Sequence, residues 1–137
     1  MKAFIRFQWP GILWGIFILV LTGVPGNYFP QIVSFWDWLS PDKAVHLFIF
    51  GVFTFLVLLG HRKQYPGSRI RYKPVSLVLI LGVLYSGLTE VLQSHLFLGR
   101  DGNIFDFLAN VIGCLIGALL FYLLYRKKGT NNHQFVE

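Results

Sequence analysis

The chain has 137 residues and a formal net charge of +6. Hydrophobic residues make up 55% of it and charged residues only 13%, and the mean hydropathy is +0.59, a composition that does not suit a soluble globular protein. A chain of this length forms one domain at most on the usual prior, so we predict a single membrane domain over residues 1–137. Four apolar segments, each about long enough to cross roughly 30 Å of hydrocarbon, predict an all-α integral membrane protein with four transmembrane helices.

The first predicted span covers about residues 7–25 and follows the basic residues Lys2 and Arg6. A short basic stretch before an apolar run also begins a cleaved signal peptide, but no A-x-A-like cleavage site follows here, so we favour a retained helix. Pro10 is expected near the start of this helix, where a proline costs no backbone hydrogen bond. Residues 25–42 are rich in proline and aromatic side chains and contain no Lys or Arg, which is typical of a short segment lying in the membrane interface.

Three further spans are predicted at about residues 43–60, 75–97 and 104–125, and they are followed by a flexible polar tail at residues 126–137. Pro41 is expected to be the first residue of the second helix, preceded by Ser40 as its N-cap.

Basic residues are distributed unevenly between the two sides of the predicted bundle. Two Lys or Arg precede the first span, five lie in the loop 61–73 and three follow the fourth span, which places ten of twelve on one side. Because Lys and Arg accumulate in cytoplasmic loops, we predict that both termini are cytoplasmic and that the loops 25–42 and 98–103 face outward. Topology and anionic lipid explain the basic loop, so nucleic acid is not expected as a partner.

Polar residues gather towards the outer ends of the last three predicted helices. Glu90 is the deepest acid, roughly 10 Å from the end of its helix at about 1.5 Å per residue. Ionisable groups inside a membrane are costly and usually functional. Intervals of three and four residues place Glu90 and Gln93 on one stripe, and Asp106 and Asn110 on another. We predict an outward-opening recess with these candidate binding residues: Asp42, Lys43, His46, Glu90, Gln93, Arg100, Asp106 and Asn110.

Each candidate also has a purely structural interpretation. Asp42 and Asp106 stand in the first turns of predicted helices, where acids favour the helix dipole. Gln93 and Asn110 could form interhelical hydrogen bonds worth about 0.6 kcal/mol each. Glu90 has the weakest structural alternative, since no capping role exists so deep in a helix. The motif Gly113-x-x-x-Gly117 is expected to allow a close helix–helix approach.

The ordered set of polar motifs is similar to that of a known family. The pieces are Asp42-Lys43-x-x-His46, Glu90-x-x-Gln93, Arg100 and Asp106-x-x-x-Asn110-x-x-Gly113, and together they resemble the VanZ-like family over about residues 40–120. The turn after Arg100 departs from the family pattern. This family is linked by name to reduced susceptibility to lipoglycopeptide antibiotics such as teicoplanin. The resemblance therefore implies a multi-pass protein of the bacterial plasma membrane that acts at the cell envelope.

Three functions fit these residues. The first is binding of an anionic amphiphile, such as a lipid-linked cell-wall precursor or the lipoglycopeptide itself, because Lys43 and Arg100 flank the recess and suit phosphate. The second is a membrane-embedded enzyme acting on lipid-linked phosphate head groups, with Glu90, Asp106 and His46 as acid and base groups or as metal ligands. The third is a structural role for all the polar groups. Membrane lipids are the expected partners, and no cofactor is predicted. The sequence leaves open whether the chain forms a homo-oligomer.

Overall fold

The computed structural model describes residues 2–23, 41–65, 72–96 and 104–126, and these ranges contain helices and no strands. Their four helices are α1 (Lys2–Thr22), α2 (Pro41–Gln64), α3 (Tyr72–Leu96) and α4 (Ile104–Tyr125). Each contains a stretch that is long and apolar enough to cross a membrane. The prediction of an all-α membrane protein with four transmembrane helices is therefore confirmed.

The helix bounds differ from the predicted spans mainly at the basic end of the molecule. Helix α1 begins at Lys2, so Pro10 lies in its third turn and not near its start. The expectation that this proline costs nothing is therefore wrong, because its ring nitrogen cannot donate a hydrogen bond to the carbonyl of Arg6. Helix α2 continues to Gln64 and α3 begins at Tyr72, which makes the basic loop shorter than predicted.

Several predictions concern residues that the structure does not describe. The interfacial segment predicted at residues 25–42 falls mostly on 24–40, and the outer turn and the polar tail fall on 97–103 and 127–137, all outside the described residues. Pro41 is the first residue of α2, as predicted.

Helix α1 runs antiparallel to α2. The amide Nε2 of Gln8 donates to the carbonyl of Val57 at 3.3 Å, and the indole Nε1 of Trp14 donates to the carbonyl of Ile49 at 2.8 Å. The two helices therefore run in opposite directions, as expected for consecutive transmembrane helices.

Helices α2 and α4 run parallel to each other and form the closest pair in the bundle. His46 and Asn110 meet near the two N-termini, and Arg62 donates to the carbonyl of Tyr125 at 3.4 Å near the two C-termini. The Arg62 guanidinium also lies 4.6 Å from the centroid of the Tyr125 ring. The start of α1 and the end of α4 consequently lie at the same end of the bundle, which we call the basic end.

Glycines bring the backbones of α2 and α4 into direct contact. A Cβ atom added to Gly113 would overlap the carbonyl of Leu47, and one added to Gly117 would overlap the carbonyl of Gly51. The predicted packing role of Gly113-x-x-x-Gly117 is confirmed, and the helix that it packs against is α2. Small residues matter in such interfaces because van der Waals contact and interhelical hydrogen bonds, not the hydrophobic effect, hold helices together in lipid.

The bundle buries polar as well as apolar side chains, and its outer surface is largely apolar. Leu84, Ile104 and Val20 are each more than 60% exposed, whereas Asn110 and Thr54 are completely buried. Exposed apolar surface on this scale is unusual for a soluble monomer, and polar groups in membrane proteins face the bundle interior. The surface is therefore matched to lipid, and the chain is a multi-pass membrane protein.

The tight α2–α4 contact makes a clear stability prediction. Gly117→Ala should destabilise the protein by at least about 1–3 kcal/mol, the usual cost of overpacking, because the added methyl meets backbone atoms that cannot move aside. Gly87→Ala is the matched control, since its nearest neighbour would be the Phe107 ring at 3.9 Å. Thermal unfolding in detergent, followed by circular dichroism, compares the two variants. Equal melting temperatures would contradict the close backbone contact.

The predicted orientation can be tested by labelling single cysteines. In a Cys114→Ala background, Lys73→Cys and Ile104→Cys place one exposed thiol at each end of the bundle. In intact cells a membrane-impermeant maleimide should label the residue 104 variant and leave the residue 73 variant unlabelled until the membrane is permeabilised. The reverse pattern would show that the basic end faces outward.

Candidate functional site

A chain of hydrogen bonds joins three helices at the end of the bundle opposite the basic end. Asn110 on α4 is completely buried. Its Nδ2 donates to Oε1 of Glu90 on α3 at 3.3 Å, and its Oδ1 lies 3.0 Å from Nδ1 of His46 on α2. Because the amide oxygen accepts, Nδ1 of His46 is the donor in this arrangement. We call His46, Asn110 and Glu90 the polar triad.

The three residues of the triad lie at similar distances from the ends of their helices. His46 is in the second turn of α2, Asn110 is in the second turn of α4, and Glu90 is six residues before the end of α3. At about 1.5 Å per residue, each lies roughly 8–9 Å from its helix end. Glu90 is half-buried and His46 is buried. The predicted convergence of polar groups from three helices is thus present for these three residues.

Other predicted site residues surround the triad without all touching it. Asp106 lies one turn before Asn110 in the first turn of α4 and is buried. Gln93 lies almost one turn beyond Glu90 on α3 and is 3% exposed. Lys43 is half-buried, and its Nζ lies 5.9 Å from the centroid of the Phe105 ring. The candidate residues whose side chains are described at this end therefore combine two carboxyl groups, two amides, an imidazole and an ammonium group.

Two predicted site residues cannot be placed in this geometry. Asp42 is the second residue of α2, but its side chain is not among the described ones. Arg100 lies outside the described residues. Their contribution to the recess stays a prediction from the sequence.

Thr54 also belongs to the polar interior, although it is not among the residues predicted from the sequence. Thr54 and Ser86 are completely buried. The hydroxyl oxygen of Ser86 has no hydrogen-bond partner within the described ranges, and that of Thr54 lies beside the Cys114 thiol. A Cβ atom at Gly82 would lie 3.6 Å from Oγ1 of Thr54 and 2.8 Å from Sγ of Cys114, so α2, α3 and α4 meet closely there. The spacing of eight residues between His46 and Thr54 was the available signal, since it returns to a similar side of a helix. The polar interior therefore extends from the triad towards the middle of the bundle.

The arrangement supports hydrogen bonding and proton exchange better than metal binding. Within the described parts of the chain, no group of three or more His, Cys, Asp or Glu side chains could hold a metal ion. His46, Glu90 and Asp106 therefore do not form the three-ligand site that one version of the enzyme hypothesis requires. The orientation of His46 by Asn110 is instead compatible with an acid–base role, in which the neutral imidazole accepts through Nε2.

Comparison with known proteins identifies the family of the chain. Neither a curated protein nor a solved structure is significantly similar to the chain. The family model described as VanZ/LLP1 matches residues 8–125. This match spans most of α1, all of α2 and α3, and α4 to its end, and it includes every candidate site residue. The chain belongs to the VanZ/LLP1 family.

Proposed function

We propose that this protein is a bacterial plasma-membrane protein that binds the head group of an anionic amphiphile at the cell envelope. The observation that supports this most strongly is the polar triad, which holds an acid, an amide and an imidazole together about two helical turns from one end of a lipid-facing bundle. Amphiphile head groups lie at this level of the membrane, next to the apolar outer surface of the helices.

The energetic cost of Glu90 argues against a purely structural triad. A charged side chain costs about 2.5–3.5 kcal/mol at the bilayer centre and less at the depth of Glu90, and ionisable groups within membrane spans usually mark functional sites. Neutral interhelical hydrogen bonds could join the helices without that cost. Asn110 needs only one hydrogen-bond partner on each neighbouring helix, and neutral amide or hydroxyl side chains could supply both. The ionisable character of Glu90 and His46 therefore goes beyond what helix association needs.

The charges around the triad indicate the kind of ligand. Lys43, three residues into α2, offers an ammonium group at head-group level, and ammonium groups bind phosphate as point charges. By sequence, Arg100 adds a second cation in the turn between α3 and α4. Glu90 and His46 can pair with hydroxyl or amide groups. A lipid-linked cell-wall precursor combines such a sugar–peptide head group with phosphate, and a lipoglycopeptide competes for the same chemistry, which would link the protein to teicoplanin resistance.

A second candidate function is acid–base catalysis on a lipid-linked phosphate. The observation that favours it is the hydrogen bond from His46 to Asn110, because a held imidazole is typical of general acid–base sites. Release of phosphate from a polyprenyl diphosphate by purified protein would distinguish this enzyme from a binding protein.

The function of the triad is tested by teicoplanin susceptibility in a sensitive Gram-positive host. We expect wild type to protect, and Glu90→Gln to lose most of that protection at equal membrane abundance. The substituted amide can still accept from Asn110, so the bundle should keep its melting temperature while the ionisable carboxyl group is lost. The control is His95→Gln, since His95 is exposed and its described hydrogen bonds stay within the last turns of α3. Equal protection by all three proteins would show that the triad has a structural role only.

The role of Lys43 is tested by lipid retention. Detergent-purified wild type should retain a polyprenyl phosphate probe, and Lys43→Gln should weaken its binding by roughly tenfold or more, because hydrogen bonds to charged groups contribute about 1.5–3 kcal/mol. Arg126→Gln is the matched control, because Arg126 is exposed at the basic end and its guanidinium lies near the Tyr122 ring. Unchanged retention in the Lys43 variant would contradict a phosphate site at this end.

A further inference from the structure

A groove at the opposite end of the bundle forms a second candidate site. It lies between α1, α2 and α3 and has a volume of about 450 Å³, within the roughly 300–1,000 Å³ range of small-molecule pockets. Gly11 and Gly15 of α1 border it, and Val57 of α2 and Leu77 and Leu81 of α3 form its other walls. Its lining is almost entirely apolar, and none of the polar triad belongs to it.

The groove exists because α1 packs against α2 and hardly against α3. The two glycines draw α1 onto α2, since a Cβ atom at Gly11 would lie 2.9 Å from Cγ2 of Val57 and one at Gly15 would lie 3.3 Å from the Phe53 ring. Towards the middle of the bundle, the hydroxyl of Tyr85 donates to the carbonyl of Gly15 at 2.6 Å. This hydrogen bond joins α1 to α3 and limits the groove on that side.

The walls of the groove suit a hydrocarbon chain. Ile12 and Leu77 line it and are 44% and 57% exposed, so the groove opens sideways to the surface that faces lipid. An apolar space of this kind offers water too few hydrogen-bond partners to hold it. A flexible acyl chain entering from the bilayer would bury its surface against these side chains.

The charges at the mouth of the groove select the head group. Lys73 is exposed in the first turn of α3, directly before the lining residue Pro74, while His61 lines the groove itself. Among the residues that the structure describes, the acids Glu90 and Asp106 both lie at the other end of the bundle. Cations near a membrane surface attract anionic lipids, so the mouth is complementary to a phosphate that has no neutralising amine.

We propose that this groove binds one acyl chain of an anionic phospholipid, whose phosphate is held at the mouth by Lys73. The bound chain fills the gap between α1 and α3 and so completes the packing of α1. This site is separate from the polar triad, and it does not depend on the function proposed there.

Photo-crosslinking tests the position of the acyl chain. The full-length protein is reconstituted in phosphatidylcholine vesicles that contain a phosphatidylglycerol probe with a diazirine on its acyl chain, and labelled peptides are mapped by mass spectrometry. Labels should concentrate on the groove-lining parts of α1 and α3. Leu77→Trp should reduce them several-fold by filling the groove, whereas Ile80→Trp should not, because Ile80 is equally 57% exposed but does not line the groove. Equal labelling of both variants would overturn the site.

A second comparison tests the head group. A phosphatidylcholine probe with the same diazirine chain should label the groove several-fold less than the phosphatidylglycerol probe. Lys73→Gln should remove most of this difference. Arg6→Gln should preserve it, because Arg6 lies on the face of α1 opposite the groove-lining residues. Equal labelling by the two probes in wild type would overturn the selectivity for an anionic lipid, as would an unchanged preference in the Lys73 variant.

Discussion

The backbone contact between α2 and α4 is the constraint on which the rest of the bundle depends. Gly113 and Gly117 let the carbonyls of Leu47 and Gly51 approach α4 more closely than any side chain would allow. His46 directly precedes Leu47, and Asn110 is almost one turn before Gly113, so the same contact fixes the distance between these two polar side chains. The 3.0 Å hydrogen bond between them follows from the glycine packing. Glu90 is then the group that connects α3 to this rigid pair.

The two ends of the bundle differ in charge and in the way that their polar groups are held. At one end, a buried imidazole, a buried amide and a half-buried carboxyl group share one hydrogen-bond network. At the other end, cationic side chains lie at the surface, and Arg62 is held against Tyr125. A buried network provides fixed directions for hydrogen bonding, whereas exposed cations provide attraction to anionic lipid without fixed geometry. These differences support a selective head-group site at the first end and a lipid-anchoring surface at the second.

Helix α1 has a different role from the other three helices. Its close contacts are with α2, through Gln8, Trp14 and the two glycines Gly11 and Gly15. No described side chain of α1 takes part in the polar triad. The open space that this leaves beside α3 is apolar, so lipid can complete the packing that a protein side chain would supply in a larger bundle.

The sequence by itself determined the four helices and the residues of the polar triad. Apolar length is a local property, and a carboxyl group within an apolar span stands out without any knowledge of its neighbours. Helix bounds at the basic end were less predictable, because charged residues continue a helix beyond the membrane as easily as they end it. Helix α1 therefore begins earlier than predicted, and Pro10 lies in its third turn. Only the tertiary structure decided that Gly113 and Gly117 face α2, that Asn110 joins His46 to Glu90, and that Thr54 lies in the polar interior. It also decided that a groove separates α1 from α3. Each of these depends on which helices touch and how they are rotated, and the polar and apolar stripes of a single helix do not specify its partner.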